Sequence, residues 1–150
     1  MTPAEELRFL ILGAQREGNR LLASLLAPLG LTPSQAEVLR NLADAAPLTL
    51  NALGRRLVCE TGSPSRLVSS MVDRNLVSRH EDAGDRRQVT LSLTSDGVRL
   101  AKAVAGVEEK LHDWLVERLG HSKIESLNLA LRSLLDGTAA GLALDERRHG

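Results

Sequence analysis

Residues Val77–Leu93, VSRHEDAGDRRQVTLSL, constrain the fold more than any other stretch of this 150-residue chain. Val89, Leu91 and Leu93 alternate with Gln88, Thr90 and Ser92, the period-2 pattern of a half-buried strand. A second strand-like segment precedes it, across a polar turn that carries Gly84-Asp85-Arg86-Arg87. Just upstream, Ser65–Leu76 reads as an amphipathic helix. Leu67, Val68, Met71 and Val72 form its apolar face, and Ser65, Arg66, Ser69, Ser70 and Asp73 lie largely on the other side. That outer face is small and polar, so it can approach another surface closely.

The rest of the chain reads as helix. Apolar residues make up 43% of the sequence, enough for a core, yet Phe9 and Trp114 are the only aromatics. A core of Leu, Val and Ala favours helices over a β-sandwich. Three helix starts fit the capping box, in which a hydroxyl takes the N3 amide and a Glu or Gln returns to the cap amide. They are Thr2-Pro3-Ala4-Glu5, Thr32-Pro33-Ser34-Gln35 and Ser122-Lys123-Ile124-Glu125. The first predicts a helix from Pro3 to Ala27, the second Pro33–Ala45, the third Ser122–Asp136. Thr49 caps a short helix over Leu50–Leu57. The helix before the hairpin starts between Glu60 and Ser63, with Thr61 or Ser63 as its cap. After the hairpin, Thr94-Ser95-Asp96-Gly97 opens a long helix whose seam is Leu100, Val104, Val107, Leu111, Trp114 and Leu115.

A helix, then a hairpin, then arginines at the hairpin tip describe a winged helix. The expected fold class is mainly α with a small β-hairpin. A winged helix-turn-helix unit at 31–97 is flanked by dimerisation helices at 1–30 and 98–140, with a mobile tail at 141–150. The outer helices are amphipathic but have little within one chain to pack on, so two chains are expected to associate through them. Net charge is zero, and seven arginines face five acids between Arg55 and Arg87, so composition alone argues only weakly for nucleic acid.

The run LTPSQAEVLRNLADAAPLTLNALGRRL, then SPSRLVSSMVDRNLVSRHEDAGDRRQVTLSLTSDG, resembles the MarR family of bacterial transcriptional regulators over about residues 31–97. Its most specific pieces are Asp85-Arg86-Arg87 followed by Leu93-Thr94-Ser95-Asp96-Gly97, with Leu67-Val68 and Leu76-Val77 upstream. The resemblance implies a homodimeric, sequence-specific DNA binder, a repressor released by a small-molecule inducer or an oxidant, with double-stranded pseudo-palindromic DNA as its partner. The implied DNA-contacting residues are Ser63, Ser65, Arg66 and Ser69 on the recognition helix, with Thr49 and Pro64 beside them. On the wing they are Arg87, Asp85 as its orienting carboxylate, and Arg86 as a phosphate contact at most. The effector pocket would lie between the first, second and fifth helices. Two departures stand out: Val58-Cys59-Glu60 where Gly-Val-Ser is frequent, and Asn75 where Gly is usual, Asn being able to adopt the left-handed turn a helix stop needs.

Cys59 is the single cysteine, which rules out an intramolecular disulfide or a Cys-cluster metal site. A redox-sensing role would require a lowered thiol pKa, and Glu60 beside it acts in the opposite direction. His80, His112, His121 and His149 do not fall at metal-binding spacing and read as surface residues. No Gly-x-Ser-x-Gly elbow or phosphate-cradling glycine loop points to an enzyme, and no cofactor is expected. No apolar run reaches membrane-spanning length, and the expected location is the cytoplasm. The alternative to DNA binding is a winged-helix module that binds protein.

Overall fold

A computed structural model describes residues 1–59, 62–81, 83–85 and 87–149. The chain runs α1 (Pro3–Leu26), a single 3-10 turn (Ala27–Leu29), α2 (Pro33–Ala45), β1 (Leu48–Thr49), α3 (Leu50–Arg56) and α4 (Pro64–Asp73). It continues through β2 (Val77–Glu81), β3 (Val89–Leu93), α5 (Ser95–Leu119), α6 (His121–Leu135) and α7 (Ala139–His149).

Local hydrogen bonds start several of these helices. Thr2 Oγ1 accepts from the Glu5 amide at 3.2 Å while the Thr2 amide donates to Glu5 Oε2 at 2.8 Å. The Thr32–Gln35 pair repeats this reciprocal box at 3.2 and 3.0 Å. The hydroxyls of Thr49 and Thr94 cap α3 and α5 by accepting from Ala52 and Gly97. The third expected box does not form. α6 begins one residue early, at His121, because Gly120 turns into it with φ of 76°, and Ser122 therefore falls inside the first turn.

α4 ends as its Asn predicted. Asn75 takes φ of 55°, its amide donates to the Val72 carbonyl, and the Leu76 amide donates to the Met71 carbonyl, each at 2.9 Å. This pair of bonds is the Schellman stop, and it sends the chain directly into β2. β2 and β3 pair antiparallel from Val77↔Leu93 to Glu81↔Val89, which is the predicted hairpin. A two-residue strand not anticipated from the sequence, β1, adds to the far side of β3 through Leu48↔Leu91 and Thr49↔Thr90.

The core sits inside this central unit. Val38, Leu39 and Leu42 of α2 meet Leu53 of α3, Val68 and Met71 of α4, Val77 and Leu91 of the sheet, and Ala101 and Val104 of α5. Burying each of the larger side chains contributes about 1.5–3 kcal/mol. The outer helices differ: Leu7, Phe9 and Leu10 on α1 and Leu127, Leu129 and Leu134 on α6 are exposed. Residues 141–149, within the stretch expected to be a mobile tail, lie in α7, which packs on α3 and makes polar contacts through Glu146 and Arg147. No described helix is long and apolar enough to cross a membrane.

Candidate nucleic-acid interface

α4 buries Val68 and Met71 and leaves Ser65 and Arg66 exposed, with Ser69 partly exposed, as its periodicity predicted. Ser63 is its N-cap by backbone geometry, but its hydroxyl bonds laterally to Ser65 Oγ at 2.9 Å rather than to a helix amide. Pro64 takes the first helical position, where a missing N–H leaves no bond unmade, and its ring packs near Gly54 of α3. Thr49 is half-buried, and its hydroxyl oxygen is committed to capping α3. A shallow groove of about 500 Å³ runs between the two helices, lined by Asn51, Arg55, Ser63 and Ser65 among others.

At the wing, Asp85 acts on the backbone. Its Oδ1 accepts from the Arg87 amide at 3.0 Å, and its carbonyl accepts from the Gln88 amide at 3.0 Å. The carboxylate thus closes the turn from which the exposed Arg87 side chain projects. Arg86, and with it Glu60, Thr61 and Asp82, lies outside the described residues.

Sequence reasoning missed the link between helix and wing. Arg79 on β2 donates from Nη2 to Ser69 Oγ at 2.9 Å, joining the outer face of α4 to the hairpin. Arg79 carries no local signal beyond its positive charge, and its partner follows from the β2–α4 packing. Glu37 was missed as well. It is a charged residue within the buried face of α2, between Ala36 and Val38, and that position was the available signal.

Cys59 stands just ahead of α4. Burial, then the nearby Glu37 carboxylate, push its thiol up to about 11. Among the described residues the acid responsible is Glu37, from another helix; Glu60, expected from sequence to act in the same direction, lies outside them. A raised pKa is the reverse of what an oxidant sensor needs. The expected outcome is a sluggish thiol. Two pKa units cut the thiolate fraction about a hundredfold below pH 9, and the greater nucleophilicity of a basic thiolate recovers about tenfold, leaving reaction about tenfold slow. Disulfide-reagent kinetics at pH 8 against a model thiol check this, and reaction at or above the model rate would contradict it.

A cavity of about 750 Å³ opens between α1 and α5, lined by Leu21, Leu22, Leu111, Trp114 and Leu115, with Val58 and Cys59 closing one side. α2, expected to line it, does not: the Val58–Cys59 segment stands there instead. Trp114, on the seam of α5, is 40% exposed at this cavity, with Arg118 4.9 Å from its ring centroid.

A three-helix unit with an antiparallel hairpin, a small polar face on its last helix and an arginine at the hairpin tip defines a winged helix-turn-helix protein. The family model described as "MarR family" matches residues 29–88. The chain is 30% identical over 136 residues to the organic hydroperoxide resistance transcriptional regulator of Bacillus subtilis, covering 87% of this chain and 88% of that one. It is 29% identical over 118 residues to the multiple antibiotic resistance protein MarR of Escherichia coli, covering 78% and 82%. It superposes with a TM-score of 0.78 and 28% identity on a mutant E. coli MarR complexed with operator DNA, over 87% of this chain and 94% of that one. The chain belongs to the MarR family of DNA-binding transcriptional regulators.

Proposed function

We propose that this chain is a cytoplasmic homodimeric repressor that binds a pseudo-palindromic DNA site and is released by a small molecule. The observation that carries the reading is the single reading surface formed by α4 and the wing, joined through the Arg79–Ser69 bond. In this reading Ser65, Arg66 and Ser69 enter a major groove, with Ser63, Pro64 and Thr49 at its edge, and Arg87 reaches the adjacent minor groove, where negative potential attracts a guanidinium. Arg86 contacts phosphate. The exposed apolar faces of α1 and α6 supply the dimer contact. A two-fold axis there would place two copies of α4 about 34–36 Å apart, one helical turn of DNA.

The effector in this reading is a small, largely apolar molecule, because leucines and Trp114 dominate the cavity wall. It would act by binding more tightly to a dimer whose α4 spacing does not match the site, since equal affinity for both states shifts nothing.

Selection of bound duplexes from random-sequence DNA tests the proposal, together with sedimentation of the free protein. The expected result is enrichment of a two-fold symmetric site, binding by a dimer, and affinity that falls steeply with salt. Failure to enrich any duplex would overturn the DNA reading and favour the protein-binding alternative.

A further inference from the structure

Glu37 is 6% exposed and sits in the middle of α2. Its Oε1 accepts from the Val58 amide and its Oε2 from the Cys59 amide, each at 2.7 Å. Arg147 of α7 donates to the same Oε1 from Nη1 at 2.9 Å. The carboxylate therefore takes two backbone donors from the segment leading into α4 and a guanidinium from the last helix. A carboxylate this deep requires such partners, because unpaired burial is costly.

α7 is docked around this contact. Arg56 of α3, itself buried, donates from Nη1 to the Glu146 carbonyl at 3.1 Å and from Nε to Asn41 Oδ1 at 3.1 Å. Arg55 approaches Glu146 Oε1 at 3.7 Å. α2 and α7, far apart in sequence, thus meet beside the peptide groups of Val58 and Cys59, and α3 holds α7 in place there. Side chains of the same residues, Val58 and Cys59, close the cavity between α1 and α5.

We propose that Glu37, held by Arg147, is a positioning residue for DNA recognition: it fixes the Val58–Cys59 backbone and so the placement of α4, making α7 part of the reading apparatus. The inference rests on the DNA-binding reading above. Without Arg147 the carboxylate keeps its amide bonds but loses its charge partner, and the segment opens more often.

The test uses the full-length chain as Arg147→Ala, Arg147→Lys and Glu37→Gln, with Arg132→Ala as control. The control removes a different α7 ion pair, Arg132 to Asp145, that does not touch Glu37. The first readout is hydrogen exchange at the Val58 and Cys59 amides, which needs no DNA. The expected result is exchange about tenfold faster in Arg147→Ala and Glu37→Gln, restored toward wild type in Arg147→Lys and unchanged in the control. The second readout is affinity for a duplex selected by the wild-type chain against a random duplex of equal length. Arg147→Ala should weaken the selected duplex about tenfold and leave the random one within about twofold, because phosphate contacts persist when placement is lost. Unchanged amide protection in Arg147→Ala would overturn the proposal, as would an equal loss on both duplexes. A wild-type chain that selects no duplex would refute the DNA-binding reading, and the exchange readout would still decide whether Arg147 holds the segment. Should Glu37→Gln not fold, Arg147→Ala carries both readouts, since it leaves the amide bonds to Glu37 in place.

Discussion

Gly97→Ala is expected to lower stability by about 3 kcal/mol or more, the upper range for overpacking in a core. Gly97 lies buried in the first turn of α5. A Cβ there would fall inside the van der Waals shell of the Leu76 carbonyl oxygen and 3.3 Å from Leu93 Cβ. The carbonyl has little freedom to turn away. It accepts from the Thr94 amide at 3.1 Å, and the Leu76 amide is engaged in the stop of α4. Thr94 is tied again by its hydroxyl, which donates to the Asn75 carbonyl at 2.7 Å and accepts from Gly97. Relief therefore requires α5 to move off the end of α4. For a chain of this size the midpoint of thermal unfolding should drop by about 6–12 °C at fixed protein concentration. A drop under about 2 °C would mean that the α4–β2 junction yields more easily than its hydrogen bonds imply.

Arg87→Ala is expected to weaken binding to a selected duplex by about 1–3 kcal/mol, or about 5- to 150-fold at one salt concentration. The argument combines exposure with anchorage. Arg87 is solvent-facing at the tip, while its backbone is held by Asp85, so little turn entropy remains to be lost on binding. Arg87→Lys should recover part of the loss, because an ammonium retains the charge and lacks the planar fork. Asp85→Ala should cost less than Arg87→Ala, since it loosens the turn and leaves the guanidinium in place. Titrations by fluorescence anisotropy, with dimer state checked for each variant, measure these differences. Wild-type affinity in Arg87→Ala would remove the wing from the interface.

The hairpin was legible in the sequence because its determinants are local. A period-2 alternation beside a polar turn leaves few other ways to bury Val89, Leu91 and Leu93. The caps at Thr2, Thr32, Thr49 and Thr94 were legible for the same reason, each joining groups three residues apart. Ser122 carried an equivalent signal, yet Gly120 turned the chain into the helix one residue sooner. The wing turn could be read because Asp85 and Arg87 are two residues apart. On α4 only an exposed face could be read, since the Arg79–Ser69 bond depends on how β2 lies on α4.

β1, Glu37 and α7 mark where local reasoning ends. Two residues do not make a strand alone; Leu48 and Thr49 pair because β3 presents a free edge. Residues 139–149 have a weakly amphipathic sequence and gain their place from Arg55, Arg56 and Glu37. Sequence by itself determined the helix starts at Thr2, Thr32, Thr49 and Thr94, the stop after α4, the hairpin and its arginine, because each depends on hydrogen bonds or periodicities within a few neighbouring residues. Tertiary structure alone decided how the segment before α4 is held. The Val58 and Cys59 amides find their acceptor on Glu37, some twenty residues earlier, and that acceptor finds its counter-charge 110 residues later, a pairing that only the packing of α2, α3 and α7 brings together.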